Sequence, residues 1–242
     1  MRRMNNPALI TQARMGSTRL PDKVLMQVQG KPLLAYHLER LQWSGLPVII
    51  ATSTEPQDAP IVAFAQAHKI PCFRGDELNV LSRFYYCARA LEVDPVVRIS
   101  SDCPLIDGHL IRQAVDQYLA WDDPCVYYSN GRQRTFPIGF DFEIFSFALL
   151  AEAFENAVEE IDLEHVTPYI NRNRSGRVAI RHVLSPDPVD RYRLTVDTPN
   201  DLTLIQTLIR DFGAAAKDWR EILTILRAHP HLEAINGHID QQ

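Results

Sequence analysis

The sequence predicts an α/β fold whose central sheet is mainly parallel and covered by helices on both faces. Two observations support this. Short continuous apolar runs (Ala8-Leu9-Ile10, Val48-Ile49-Ile50-Ala51 and Val96-Val97-Arg98-Ile99) alternate with segments of helical apolar period. Runs without alternation suit strands buried on both faces. Polar clusters also follow these runs directly: Gln12 onward, Thr52-Ser53-Thr54, and Ser100-Ser101-Asp102. Open α/β sheets bind ligands there, outside the carboxyl ends of the strands.

The elements follow in order. Residues 8–12 are an expected strand. A helix is expected over 32–43, with Pro32 in its first turn, Leu33, Leu34, His37, Leu38 and Leu41 at helical spacing, and Gly45 as its stop. A strand at 48–51 precedes a helix at 58–68, with Asp58 as its expected cap. A short strand at 71–73 leads to a helix at 77–91, with Leu78, Leu81, Tyr85 and Ala88 along one stripe. A strand at 96–99 and a helix at 107–118, begun by an acidic cap, follow.

The pattern changes after about residue 124. Segments 125–129 and 139–145 read as strands, with Asn130-Gly131 as a hairpin turn after the first. Helices are expected at 147–158 and 160–171, the second interrupted at Pro168. Late strands at 178–183 and 193–196 precede a helix begun by Thr198-Pro199 and a last helix over 218–228. There is no internal repeat or low-complexity linker. One domain over 1–242 with a hairpin-and-helix insertion at about 125–175 is the expected organisation.

At 242 residues, with 46% apolar residues, the chain can build a substantial core. A formal charge of −5 argues against a general nucleic-acid binder. Cys72, Cys87, Cys103 and Cys125 form no Cys-x-x-Cys pair, so they read as free thiols in a reducing compartment. Apolar runs are too short to cross a membrane, and residues 1–7 lack the apolar core of a signal peptide. The expectation is a cytoplasmic protein.

The stretch after the first strand carries the chemistry. Arg14, Arg19 and Lys23, with Ser17 and Thr18, crowd into one loop. Such a loop surrounds a polyanion with charge and backbone N–H groups. It contains neither Gly-x-Gly-x-x-Gly nor Gly-x-x-x-x-Gly-Lys-Ser/Thr, so side chains must do most of the holding. The competing account is a solvated basic loop.

Asp102 and Asp197 each follow an expected strand. If both strands lie in the sheet, both carboxylates face the crevice of the basic loop. Two hard oxygen ligands beside a polyphosphate suit Mg²⁺. A lone Asp at such a position would more often cap the element that follows it, and the pairing with the basic loop shifts the balance toward the metal reading.

These residues resemble the cytidylyltransferase family that includes CMP-Kdo synthetase, CMP-acylneuraminate synthetase and the SpsF-like proteins of spore-coat polysaccharide synthesis, the last above all. The likeness covers about residues 8–210. It runs through Gln12 to Pro21 with Lys23, Gly30-Lys31-Pro32-Leu33, Ala51-Thr52-Ser53, Phe73-Arg74-Gly75, Val80-Leu81 with Arg83, and Val97-Arg98-Ile99. It continues through Asp102-Cys103-Pro104-Leu105-Ile106-Asp107, Glu164-His165-Val166-Thr167-Pro168-Tyr169 and Thr195-Val196-Asp197-Thr198-Pro199. The resemblance implies a Rossmann-like nucleotidyltransferase fold, CMP transfer from CTP to an acidic sugar, Mg²⁺, and a homodimer built partly through the insertion. By position it implies that Arg14, Ser17, Arg19 and Lys23 hold the triphosphate, with Gln12 and Ala13 among the substrate-binding residues. Asp102 and Asp197 would bind metal, with Arg14, Lys23 and Asp102 as the catalytic set. Ala51, Thr52, Ser53, Arg74 and Gly75 would lie near base and ribose.

Arg98, Arg132, Arg134, Asp141, Glu164 and His165 are candidates for acceptor binding. Arg132 and Arg134 read equally as a solvated hairpin, His165 as a structural histidine, and Asp141 as the end of a turn. Arg83 either touches nucleotide or pairs with Asp76 or Glu77. Three positions depart from the family pattern: Ser101 replaces a usual Gly, Asp22 another, and Ile138 an Arg that often precedes Gly139. Ile138 motivates an alternative, a nucleotidyltransferase with another acceptor (a sugar phosphate or phosphonate) or nucleotide. A catalytically silent nucleotide-binding scaffold is the remaining reading.

Overall fold

The structure, a computed structural model, describes residues 6–239. Most of the N-terminal stretch read for a signal peptide lies outside the described residues. The chain runs through β1 (Ala8–Gln12), β2 (Gln27–Val28), β3 (Lys31–Pro32), α1 (Leu33–Gln42), β4 (Val48–Ser53), α2 (Ala59–Ala67) and β5 (Cys72–Gly75). It continues through α3 (Val80–Ala90), β6 (Val96–Ser100), α4 (Gly108–Trp121), β7 (Val126–Ser129), β8 (Glu143–Phe145) and α5 (Phe147–Asn156). Last come α6 (Glu160–His165), α7 (Pro168–Asn171), β9 (Ala179–His182), α8 (Pro199–Phe212), α9 (Trp219–Ala228) and α10 (Pro230–Asn236).

Seven strands form one sheet in the order β5-β4-β1-β6-β8-β7-β9. The β5-β4-β1-β6 half is parallel, with Gln12 opposite both Ala51 and Ser100. Strand β8 joins antiparallel to β6 and β7, and β9 pairs parallel with β7. The expected hairpin-and-helix insertion therefore contributes strands to the same sheet. Side chains alternate across it: Leu9 enters one core cluster, while Ala8 and Ile10 enter another. Leu9 and Ile10 are fully buried, each burial contributing about 2 kcal/mol.

Several boundaries differ from the sequence reading for identifiable reasons. Asn130-Gly131 is not a two-residue hairpin turn. Residues 130–142 separate β7 from β8, and Asn130 braces that long loop, donating to the Phe140 carbonyl at 2.8 Å and accepting from Phe142 N at 3.0 Å. Residues 193–196 are not a sheet strand. Only an isolated bridge between Ile138 and Arg193 forms there. Leu78 lies ahead of α3 and is exposed, because Asn79 caps that helix by accepting from Ser82 N. Asp58 makes no side-chain cap to α2. Helix α10 was not anticipated, since its seven residues are too few for a clear period. Asp107, Thr198 and Asp218 do cap α4, α8 and α9, the last two through reciprocal capping boxes. Among the described residues no helix is long and apolar enough to cross a membrane.

Candidate functional site

Strand order reverses at β1: β4 and β5 lie on one side and β6 on the other. The crevice beyond such a switch point is the expected ligand position. A cleft of about 450 Å³ opens there, at the ends of β1 and β6. Gln12, Ala13, Arg14, Ser17, Arg19, Lys23, Arg83, Asp102, Glu164, His165 and Asp197 all line it. A second cleft, of about 360 Å³, lies toward β7 and β8 and includes Arg98, Arg132, Arg134, Ile138 and Asp141. Ser100, Asp102 and Asp197 line both. The two clefts therefore meet at the two carboxylates.

Lys23 joins those carboxylates. Its Nζ donates to Asp102 Oδ2 at 2.9 Å and to Asp197 Oδ1 at 2.7 Å. Burial disfavours its charge, yet the two aspartates outweigh burial and raise its pKa. Asp197 is also disfavoured by burial as an anion, but Lys23, Arg19 and Arg193 together lower its pKa. Arg193 Nη2 donates to Asp197 Oδ2 at 2.7 Å, and Arg193 Nε donates to Asp201 Oδ1 at 3.0 Å. Asn236 of α10 steadies this pair by donating to Asp201 Oδ1 and to the Arg193 carbonyl.

The backbone explains how residues so distant in sequence meet. Val196 N donates to the Asp102 carbonyl at 2.8 Å, and Leu194 N donates to the Ile138 carbonyl at 2.6 Å. Gly139, at φ +106°, permits that approach. A Cβ there would stand 2.5 Å from Leu194 C. No sheet pairing is needed to bring Asp197 to the crevice.

The basic loop is held from within. The Met15 carbonyl accepts from Ser17 N at 2.8 Å and from Asp22 N at 3.1 Å. Asp22 takes the left-handed conformation, φ 59°, and turns the chain into Lys23. The usual Gly that Asp22 replaces in the family pattern suits that conformation.

Arg83 is 3% exposed, and its Nε and Nη1 have no hydrogen-bond partner among the described residues. The guanidinium lines the first cleft. Gly75 makes room for it, because a Cβ there would come within 2.9 Å of Arg83 Cγ. A buried cation with idle N–H groups is costly in the free protein. Neither of the carboxylates suggested from sequence, Asp76 or Glu77, hydrogen-bonds it.

Glu164 and His165 reach the first cleft from the end of α6. Val166 then adopts φ 70°, ψ −51°, and Thr167 N donates to the His165 carbonyl at 2.8 Å. This is a strained γ-turn for a β-branched residue. It sends Thr167 Oγ1 toward the second cleft, where it donates to Glu143 Oε1 at 2.6 Å. Glu143 also accepts from Tyr127 and pairs with Arg98. Arg134 pairs with Asp141 at 2.7 Å. Burial raises the pKa of Asp141 against the opposing pull of Arg134.

Five candidates do not reach either cleft. Ala51, Thr52 and Ser53 are fully buried within β4, since that strand is covered on both faces. Arg74 turns back, its Nε donating to the Ser53 carbonyl at 3.0 Å. Gly75 backs Arg83 and makes no cleft surface of its own. Sequence reasoning also missed Glu143 and Arg193. Asp141 and Glu143 stand two apart in an expected strand, a spacing that places both on one face. Arg193 carries no comparable signal.

The donor set suits a hard divalent cation. Asp102 and Asp197 already converge on a single positive charge, that of Lys23. Carboxylate oxygens completed by phosphate and water are the usual surroundings of Mg²⁺. Among the described residues no third His, Cys, Asp or Glu completes a protein-only cage.

The sequence pattern of a family described as cytidylyltransferase matches residues 8–217. The chain is 34% identical over 237 residues to the uncharacterized protein MJ1063 of Methanocaldococcus jannaschii, covering 96% of this chain and 95% of that protein. It is 30% identical over 237 residues to the spore coat polysaccharide biosynthesis protein SpsF of Bacillus subtilis, covering 94% and 96%. The structure of a cytidylyltransferase from Leptospira borgpetersenii superposes with a TM-score of 0.90 at 28% identity, covering 98% of this chain and 99% of that one.

Proposed function

This chain belongs to the cytidylyltransferase family, and we propose that it transfers CMP from CTP to an acidic sugar, releasing pyrophosphate, in surface polysaccharide synthesis. The observation that carries this reading is the meeting of two clefts at Asp102 and Asp197, beside the Arg14–Lys23 loop. One cleft has the cations for a triphosphate. The other has the hydroxyl-binding pairs for a sugar. The resemblance to SpsF supports a sugar-related acceptor.

An acceptor oxygen attacks the α-phosphorus, the bond to the bridging oxygen breaks, and pyrophosphate carries away the electron pair. Arg14, Arg19, Ser17 and Lys23 hold the departing phosphates and offset their growing charge. Losing one such contact costs about 3–4 kcal/mol of transition-state stabilisation. Asp102 and Asp197 would hold Mg²⁺, which when bound neutralises phosphate charge and lowers the pKa of a hydroxyl beside it. Arg83 would give its idle N–H groups to the nucleotide. Arg98, Asp141, Glu164 and His165 would orient the acceptor, so that the attacking oxygen starts in line. A homodimer in the cytoplasm, formed partly through residues 125–175, belongs to the same proposal.

The second cleft favours one alternative acceptor. Arg98, Arg134 and Arg193 are each already paired with a carboxylate. Ile138 stands there as an apolar wall, leaving exposed Arg132 at the rim. A sugar phosphate, reaching the rim with its dianion, fits this pattern as a second reading.

The test is incubation of the protein with Mg²⁺, each of the four common nucleoside triphosphates, and panels of acidic sugars and sugar phosphates. Mass detection of nucleotidyl adducts and pyrophosphate release are the readouts. CMP adducts on an acidic sugar are expected, with loss of turnover in Asp102→Asn. Preference for UTP, or full turnover in Asp102→Asn, would refute the assignment.

A further inference from the structure

Asp58 is fully buried and takes no part in the chemistry above. It stands at the end of a short 3-10 turn, Pro56–Asp58, where its side chain could cap α2 but does not. Its two oxygens instead join separate elements. Oδ1 accepts from Met15 N at 2.7 Å. Oδ2 accepts from Ser53 Oγ at 2.5 Å and from Ser53 N at 3.3 Å. Ser53 ends β4, whereas Met15 stands second in the Arg14–Lys23 loop.

Met15 also ties later parts of the loop together. The Met15 carbonyl, in the next peptide unit, accepts from Ser17 N and Asp22 N. Asp22 in turn sets the chain into Lys23. One side chain thus fixes the N–H of Met15, a residue whose carbonyl holds the N–H groups of Ser17 and Asp22 on either side of Arg19. The Met15 side chain adds a second restraint by packing on the cluster of Ala13, Val24 and Leu34. A carboxylate suits this post because it accepts at both oxygens at once, and a neutral amide cannot.

We infer that Asp58 is a positioning residue that anchors the Arg14–Lys23 loop to the end of β4 in the shape that receives a triphosphate. The inference rests on the nucleotidyltransferase reading of that loop. It differs from the expected helix-capping role, which would leave the loop indifferent to this side chain.

The test compares wild type, Asp58→Asn and Asp58→Ala in binding CTP, cytidine and inorganic tripolyphosphate, with thermal melts as the check of folding. Asp58→Asn is nearly isosteric and keeps one acceptor, so it carries the test if Asp58→Ala does not fold. The expected result is at least about a tenfold loss of affinity for CTP and tripolyphosphate, with cytidine binding within about twofold of wild type. Faster amide exchange across residues 14–22 is expected with it. Unchanged triphosphate affinity in Asp58→Asn overturns the inference. So does an equal loss for cytidine and triphosphate, the mark of a merely structural role. A wild type that binds tripolyphosphate but not CTP ends the cytidylyl reading alone, and the Asp58 effect on tripolyphosphate still decides this one.

Discussion

Lys23 Nζ lies 2.7 Å from Asp197 Oδ1, across 174 residues of chain, and 2.9 Å from Asp102 Oδ2. An ammonium group thus occupies the point where the two carboxylates can share a cation. Lys23→Ala is expected to lower kcat/KM by about 3–4 kcal/mol, a factor of several hundred, as for other lost transition-state donors. It also leaves two carboxylates side by side with Arg19 and Arg193 alone to balance them. Millimolar Mg²⁺ without nucleotide should then raise the melting temperature of Lys23→Ala more than that of wild type. Equal Mg²⁺ responses would count against a shared cation position.

Arg83 illustrates a trade between stability and binding. Its buried Nε and Nη1 bond to nothing among the described residues. Replacing a poorly paired buried cation by an apolar side chain of similar volume is often stabilising. Arg83→Met is therefore expected to gain roughly 1–2 kcal/mol in unfolding free energy while losing about tenfold in CTP affinity. Denaturant melts and calorimetric titration read the two effects separately. A destabilised variant with normal CTP affinity would assign Arg83 to the core.

His37 is fully buried beneath the turn that follows Asp102. Nδ1 lies 2.8 Å from the Cys103 carbonyl and Nε2 2.9 Å from Thr11 Oγ1. Burial lowers its pKa from 6.5 to about 4. The unfolded chain therefore binds a proton that the folded one refuses between those values. Stability is full above pH 6.5 and declines as pH falls toward about 4, by about 3 kcal/mol in all from this group. Urea melts across that range should show the decline in wild type and a flatter profile in His37→Gln.

Gly139→Ala should damage the seam between the two clefts. The new Cβ would meet Leu194 C at 2.5 Å, and φ +106° is unfavourable for any other residue. A loss of about 2 kcal/mol or more in stability is expected. Because Gly139 N also donates to Asp141 Oδ2 at 3.0 Å, the KM for the acceptor should rise more than that for CTP. Equal changes in both would separate Gly139 from the acceptor side.

Much of the architecture is legible in residue order. The buried strands β1, β4 and β6 announce themselves as unbroken apolar runs, because a strand covered on both faces has no polar face to show. The caps at Asp107, Thr198 and Asp218 are equally local, since a cap bonds to N–H groups within three residues. The basic loop is visible for the same reason: its charge is contiguous in the chain.

What lies across the chain is not legible in that way. Residues 193–196 read as a strand, yet Leu194 and Val196 are tied to Ile138 and Asp102 by single hydrogen bonds, with no sheet ladder. Asp58 reads as a cap from its neighbours, while its real partners, Met15 and Ser53, come from the ends of two other elements. By itself the sequence determined which side chains carry charge, which strands are buried and where helices begin, all consequences of local pattern. Only the tertiary structure decided that Lys23 would sit between Asp102 and Asp197, because long-range pairing depends on which loops the packed sheet brings face to face.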